Sequence, residues 1–119
     1  MKVLFAATEG LPYIKSGGLA DVVGSLPKIL KKKRVDVRVV LPLYLKMAQR
    51  DRDSFEKIAT VPIQCGVINT VATFYQKETD GVMFYFVEHQ GYFERSTLYG
   101  YDDDGERFAF FTKAVLEML

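Results

Sequence analysis

A lysine two residues ahead of paired glycines, Lys15-Ser16-Gly17-Gly18, stands between a short apolar run, Lys2 to Ala7, and the start of an amphipathic helical pattern. Strand, glycine-bearing turn and helix N-terminus in that order can hold an anion. The first N–H groups of a helix lack partners, and its dipole favours negative charge. Paired glycines let the backbone approach a bulky phosphate and take up φ > 0, while a lysine reaches over as a mobile point charge. The ligand this chemistry implies is a phosphate or pyrophosphate. Both G-x-G-x-x-G and G-x-x-x-x-G-K-[ST] are absent, so the NAD and P-loop readings lose support. The same four residues equally suit a tight turn carrying a solvated lysine.

Other residues invite chemistry and meet plainer readings. Asp21 could touch a ligand or orient Lys15, but a carboxylate in a first helical turn is favourable against the dipole in any case. Glu9 follows the first strand at the end where α/β sheets bind ligands, and reads as a structural loop carboxylate. His89, the only histidine, reads as a solvated strand-end residue. Tyr92, Phe93, Tyr99 and Tyr101 could stack on sugar rings, though loop packing is the default for aromatics. Cys65, the only cysteine, sits among Val61, Ile63 and Val67 and reads as a buried structural thiol.

The elements that position these residues follow from periodicity. Lys2 to Ala7 predicts a strand buried on both faces. Leu19, Val22, Val23, Leu26, Ile29 and Leu30 share one helical face, and Pro27 predicts a kink or break at Val23 to Leu26. Lys31-Lys32-Lys33-Arg34 reads as a solvated helix end rather than a nucleic-acid patch. Asp36 to Leu41 is the second strand, with Pro42 at its exit, completing a parallel βαβ unit. Tyr44 to Phe55 reads as a loop or weak helix. Alternation through Val61, Ile63, Cys65 and Val67, then apolar runs over Val67 to Tyr75 and Val82 to Val87 around Asp80-Gly81, predict an antiparallel hairpin insertion. His89 to Tyr101 reads as a structured loop near a binding surface. Asp102 to Glu106 should cap a last helix with Phe108, Phe111, Val115, Met118 and Leu119 on one face. That helix is apolar nearly all round and ends without a cap, which predicts that the domain continues beyond Leu119.

With 119 residues, 49% of them hydrophobic, the chain can bury one compact core. A formal charge of +1 gives no global field toward nucleic acid or an anionic membrane. No apolar run approaches the roughly 20 residues of a membrane span, and no signal peptide is evident, so a cytoplasmic location is expected.

The stretch Lys15-Ser16-Gly17-Gly18-Leu19-Ala20-Asp21-Val22-Val23-Gly24-Ser25-Leu26-Pro27 resembles the N-terminal signature of bacterial-type glycogen and starch synthases. Asp36-Val37-Arg38-Val39-Val40-Leu41-Pro42 is similar to that family's second strand. Tyr92-Phe93-Glu94-Arg95, Leu98-Tyr99-Gly100 and Glu106-Arg107-Phe108-Ala109-Phe110-Phe111 resemble its later loop and helix. The likeness runs the length of the chain. It implies a Rossmann-like doubly wound α/β fold, residues 1–119 being the incomplete first domain of a two-domain GT-B glycosyltransferase whose C-terminal nucleotide-binding domain is absent. It implies a hexosyltransferase that moves glucose from ADP-glucose to the non-reducing end of an α-1,4-glucan with retention, needing neither metal nor cofactor. Lys15 would contact the donor phosphates, Gly17 and Gly18 would allow close backbone approach, Asp21 would belong to the same site, and Tyr99 would lie on the glucan side. The catalytic residues would lie beyond Leu119, so this segment alone should be inactive. Lys33-Arg34-Val35 departs from a glycine-containing turn frequent in that family and leaves the helix end open.

Overall fold

The computed structural model describes residues 1–119 as one five-stranded mixed sheet with helices on both faces. The strands are β1 (Lys2–Ala6), β2 (Asp36–Pro42), β3 (Glu56–Cys65), β4 (Ile68–Thr79) and β5 (Val82–Glu88), in the spatial order β1-β2-β5-β4-β3. The β1–β2 and β2–β5 pairs are parallel, and the β5–β4 and β4–β3 pairs are antiparallel. The helices are α1 (Gly18–Lys32), the short α2 (Gln49–Asp53) and α3 (Gln90–Phe93), and α4 (Asp104–Met118).

The predicted hairpin therefore takes a more central place than an appended insertion. Asp80 and Gly81 both have positive φ, as a tight two-residue turn between twisted strands requires, and send β5 back between β4 and β2. A second tight turn escaped the periodicity. Gly66, with φ of 59°, and the fully exposed Val67 join β3 to β4 where the alternation had seemed to continue. Cys65, at that turn, is half-buried rather than buried.

Strand β1 is an edge strand, which is why its residues are at most half-buried instead of covered on both faces. Helix α1 runs unbroken through Pro27, so the expected break does not occur. Its buried face is Ala20, Val23 and Pro27, packed on β2 and β5, while Leu19, Val22, Leu26 and Ile29 stand exposed. Small side chains toward the sheet let the helix lie close, and the larger ones form a stripe along its flank.

Helix α1 ends in a Schellman arrangement: the Arg34 N–H donates to the Lys31 carbonyl at 3.0 Å and the Val35 N–H to the Leu30 carbonyl at 3.1 Å. Arg34 takes the left-handed position, φ 65°, which fixes the helix end despite the missing glycine.

On the α1 face, Tyr13 packs edge-on against Phe55, Phe84 and Phe86 with ring centroids 5.1–5.3 Å apart. Phe55 and Tyr44, from the segment read as loop or weak helix, are thus core residues. On the other face α4 packs against β3 and β5 and buries Arg107, Phe110, Phe111, Ala114 and Val115. Phe108 and Met118 are only partly buried and Leu119 is exposed, so the face differs from the one expected. Leu116 is also exposed, which makes α4 a one-sided helix here. Asp103 is its N-cap, but the side chain caps nothing and instead holds Arg95 at 2.6 Å.

Candidate functional site

The carboxyl ends of the parallel strands lie together, and the loop after each brings one piece of a site. After β1 come Thr8, Glu9 and the loop to α1; after β2 comes Tyr44; after β5 comes the segment 89–101. Two hydrogen bonds tie them. The Tyr44 hydroxyl donates to the Thr8 carbonyl at 2.7 Å, and Tyr99 Oη lies 2.7 Å from Thr8 Oγ1. Tyr99 is thereby fixed to Thr8, 91 positions away in sequence and in the same loop as Lys15, with over a third of its surface open. Burial raises its pKa.

The loop between β1 and α1 is wedged against the helix at two glycines. A Cβ on Gly10 would stand 2.7 Å from Val23 Cγ1, and one on Gly24 would stand 2.8 Å from Leu11 Cβ. The Leu11 N–H also donates to the Ala20 carbonyl at 3.1 Å. Close packing of this kind fixes the path of the loop that carries Lys15 and Glu9.

Lys15 Nζ donates to both oxygens of Asp21, at 2.8 and 2.9 Å, with both side chains about half exposed. The pair spans the first turn of α1, so Lys15 and Asp21 are in contact at the head of the helix. An exposed pair of this kind contributes little to stability, typically ~0–1 kcal/mol, which leaves the ammonium ready to exchange partners.

The glycine pair behaves differently from expectation. Gly17 is extended, with φ of −158°, and neither Gly17 nor Gly18 has a positive φ. Gly18 contributes bare surface, since a Cβ there would meet nothing within 4 Å, whereas one on the half-buried Gly17 would stand 3.6 Å from Glu9 Oε1.

Glu9 has the structural role expected of it, and it is a specific one. It is only 3% exposed, and its carboxylate accepts from the Ser16 N–H at 2.9 Å, the Ser16 hydroxyl at 2.7 Å and the Gly17 N–H at 3.2 Å. Burial pushes its pKa up, but the Ser16 hydroxyl and the Ser16, Ala20 and Gly17 amides outweigh that and hold it below the ordinary value. It is a built-in cap for a helix whose N-cap, Gly17, has no side chain to offer. As the first two residues of α1, Gly18 and Leu19 have no carbonyl one turn back within the helix for their amides, and both residues are exposed. Nothing in a lone Glu in Thr8-Glu9-Gly10 signals this; it depends on the loop folding back.

The segment 89–101 is held from beneath by Arg107, which is fully buried. Its Nε donates to the Tyr92 carbonyl at 2.7 Å, and its Nη1 donates to the Leu98 carbonyl at 3.0 Å and to Asp104 at 2.7 Å. His89 is a half-buried cap rather than a solvated residue. Its Nδ1 accepts from the Tyr92 N–H at 3.2 Å, its Nε2 lies 2.9 Å from Thr70 Oγ1, and its ring stacks on Tyr92. Phe93 is buried in the core, Tyr92 is half-buried, and Tyr101 is half-buried against the Arg95 and Arg107 guanidiniums, so Tyr99, tied to Thr8, is the aromatic directed to the strand ends. No group of three or more His, Cys, Asp or Glu side chains is arranged to hold a metal ion, and no helix is long and apolar enough to cross a membrane.

Comparison with known proteins bears on this arrangement. The family model described as "Starch synthase catalytic domain" matches residues 2–119. The chain is 48% identical over 119 residues to a glycogen synthase of Desulforamulus reducens and 50% identical over 119 residues to one of Clostridium kluyveri. In both cases all of this chain is covered and 25% of the relative, so it spans about a quarter of their length. Among solved structures, the catalytic domain of starch synthase IV from Arabidopsis thaliana, bound to ADP and acarbose, matches with a TM-score of 0.85 and 31% identity. That match covers 98% of this chain and 24% of the plant chain. With a mixed sheet of parallel start and antiparallel finish, and a family match over nearly its whole length, the chain belongs to the starch synthase catalytic domain family.

Proposed function

We propose that the chain is the N-terminal segment of a glycogen/starch synthase of the two-domain GT-B kind, one wall of a cleft in which glucose passes from ADP-glucose to the non-reducing end of an α-1,4-glucan. The observation that carries this is the open head of α1. Lys15 lies across it, held by the exposed Asp21, beside bare Gly18 and the first-turn amides of Gly18 and Leu19, which have no carbonyl one turn back within the helix. A leaving diphosphate gains charge as the sugar departs, and a lysine with preorganised N–H donors stabilises that charge without proton transfer. Tyr99, tethered to Thr8 alongside, supports a glucan-side role. The plant starch synthase was solved with ADP and acarbose, which supports adenine as the donor base and a glucan-like acceptor.

The reading includes a cytoplasmic location with no membrane or nucleic-acid partner, and places the catalytic residues outside this segment, so the 119 residues alone transfer no glucose. In the full-length enzyme, Lys15→Ala should lower kcat/KM for ADP-glucose by about 10²-fold while leaving the KM for glycogen unchanged. Unchanged donor kinetics would overturn the phosphate role.

A further inference from the structure

We propose that Glu9 is a positioning residue for the donor diphosphate, a role that rests on the reading above and extends it to a residue that reading does not use. A carboxylate at this place runs against simple electrostatics. It is buried beneath the very helix end proposed to receive an anion, and its hydrogen bonds keep it ionised, so its charge alone opposes the ligand. Its geometry supplies the compensating reason. Through Ser16 and Gly17 it grips the residues that immediately follow Lys15 and immediately precede Gly18. It thereby fixes the turn from within, and by occupying the inner amides it leaves those of Gly18 and Leu19, the exposed first residues of α1, as the donors for the ligand. The diphosphate is steered to one register on the helix end, under the Lys15 ammonium, and cannot slide inward onto Ser16 and Gly17.

Glutamine at position 9 keeps the shape and burial but not the function. Its amide group offers an N–H₂ where a second acceptor is needed, so at least one of the Ser16 and Gly17 donors loses its partner. The test is steady-state kinetics of the full-length enzyme with Glu9→Gln, Lys15→Ala and the double variant, with thermal melting alongside. The expected result is a rise of roughly 10- to 100-fold in KM for ADP-glucose, the scale of a displacement of about 1 Å in a bound reactant, with KM for glycogen unchanged. Glu9→Gln should add far less on the Lys15→Ala background than it does alone, because both act on one group.

Tighter donor binding in Glu9→Gln would show that its charge, not its grip, governs the site, and would overturn the proposal. Donor kinetics within twofold of the parent, or equal losses toward donor and glycogen accompanied by a lower melting temperature, would overturn it as well. Should Glu9→Gln fail to fold, Ser16→Ala removes only the hydroxyl donor and should raise the donor KM about threefold; no rise would count against the proposal. An impaired Lys15→Ala beside an unimpaired Glu9→Gln defeats this inference alone, whereas an unimpaired Lys15→Ala defeats the phosphate reading beneath it.

Discussion

Replacing Arg107 by methionine should loosen the molecule at the point where the loop bearing Tyr99 is anchored. The arginine makes three short bonds from a fully buried position, two to main-chain carbonyls and one to Asp104. Bonds from a charged donor contribute about 1.5–3 kcal/mol each, a gross loss of roughly 5–9 kcal/mol. Against this, the unfolded chain no longer gains several kcal/mol by hydrating a guanidinium, and methionine keeps the apolar stem in place. Removing one member of a buried pair typically costs about 3–5 kcal/mol. Asp104, with its side chain 31% exposed, can turn to water, whereas the Leu98 carbonyl, on a residue buried at 3% exposure, cannot. The expected net loss is therefore about 2–4 kcal/mol. At a slope of about 2 kcal/mol per molar urea, the unfolding midpoint should fall by roughly 1–2 M. Urea unfolding followed by circular dichroism measures this directly, and Arg107→Lys, which keeps one bond at most and still buries a charge, should lose at least as much. A methionine variant within 1 kcal/mol of the parent at unchanged slope would refute the view that Arg107 anchors the loop. The unpaired Nη2 would then be the better guide to the residue, as a buried polar group whose desolvation cancels its bonds.

Two further outcomes are expected. Arg34→Gly should stabilise the chain by ~0.5–1 kcal/mol: a left-handed non-glycine residue costs roughly 1–2 kcal/mol, and the extra freedom of glycine in the unfolded chain returns about 0.4–1 of that. Urea unfolding checks it, and a loss of stability would contradict the strain argument. Burial depresses the pKa of His89 below 6.5, so the native state favours the neutral ring that accepts the Tyr92 N–H. Its contribution is complete above the unfolded value of about 6.5 and is lost as pH falls through the folded one. Unfolding free energies at pH 7.5 and 5.5 should therefore differ more in the parent than in His89→Asn, and equal differences would exclude the histidine as the source.

What the sequence reveals here is local, and what it hides is non-local. Asp80-Gly81 is legible as a turn because two adjacent left-handed residues demand that chemistry. Lys15, Gly17 and Gly18 are legible as an anion site from a glycine turn before a helix, Asp21 has two local readings, and only family likeness points to Tyr99, which the fold gathers to the Lys15 loop through Thr8. Gly66-Val67 is hidden because a period of two runs through the turn, and only the lone glycine marks it. The buried face of α1 is misread because Ala20 and Pro27 weigh little on a hydropathy pattern, yet their small size is what lets the helix approach the sheet. Glu9 and Arg107 are invisible for a common reason. A charged side chain is presumed wet until the chain folds back to supply its partners, amides for one and carbonyls for the other.

The place of β5 in the sheet has a consequence for the order of assembly. Strands β3, β4 and β5 are joined by two tight turns and can zip up from neighbouring contacts on the microsecond scale of hairpins. The first strand, α1 and β2 are likewise adjacent in sequence. Joining the two halves requires β2 to meet β5 across everything between them, a loop closure from Arg38 to Met83 that is rewarded only once both partners exist. One seam in the middle of the sheet thus separates two locally competent halves, and the loops that make up the candidate site come together only when that seam closes.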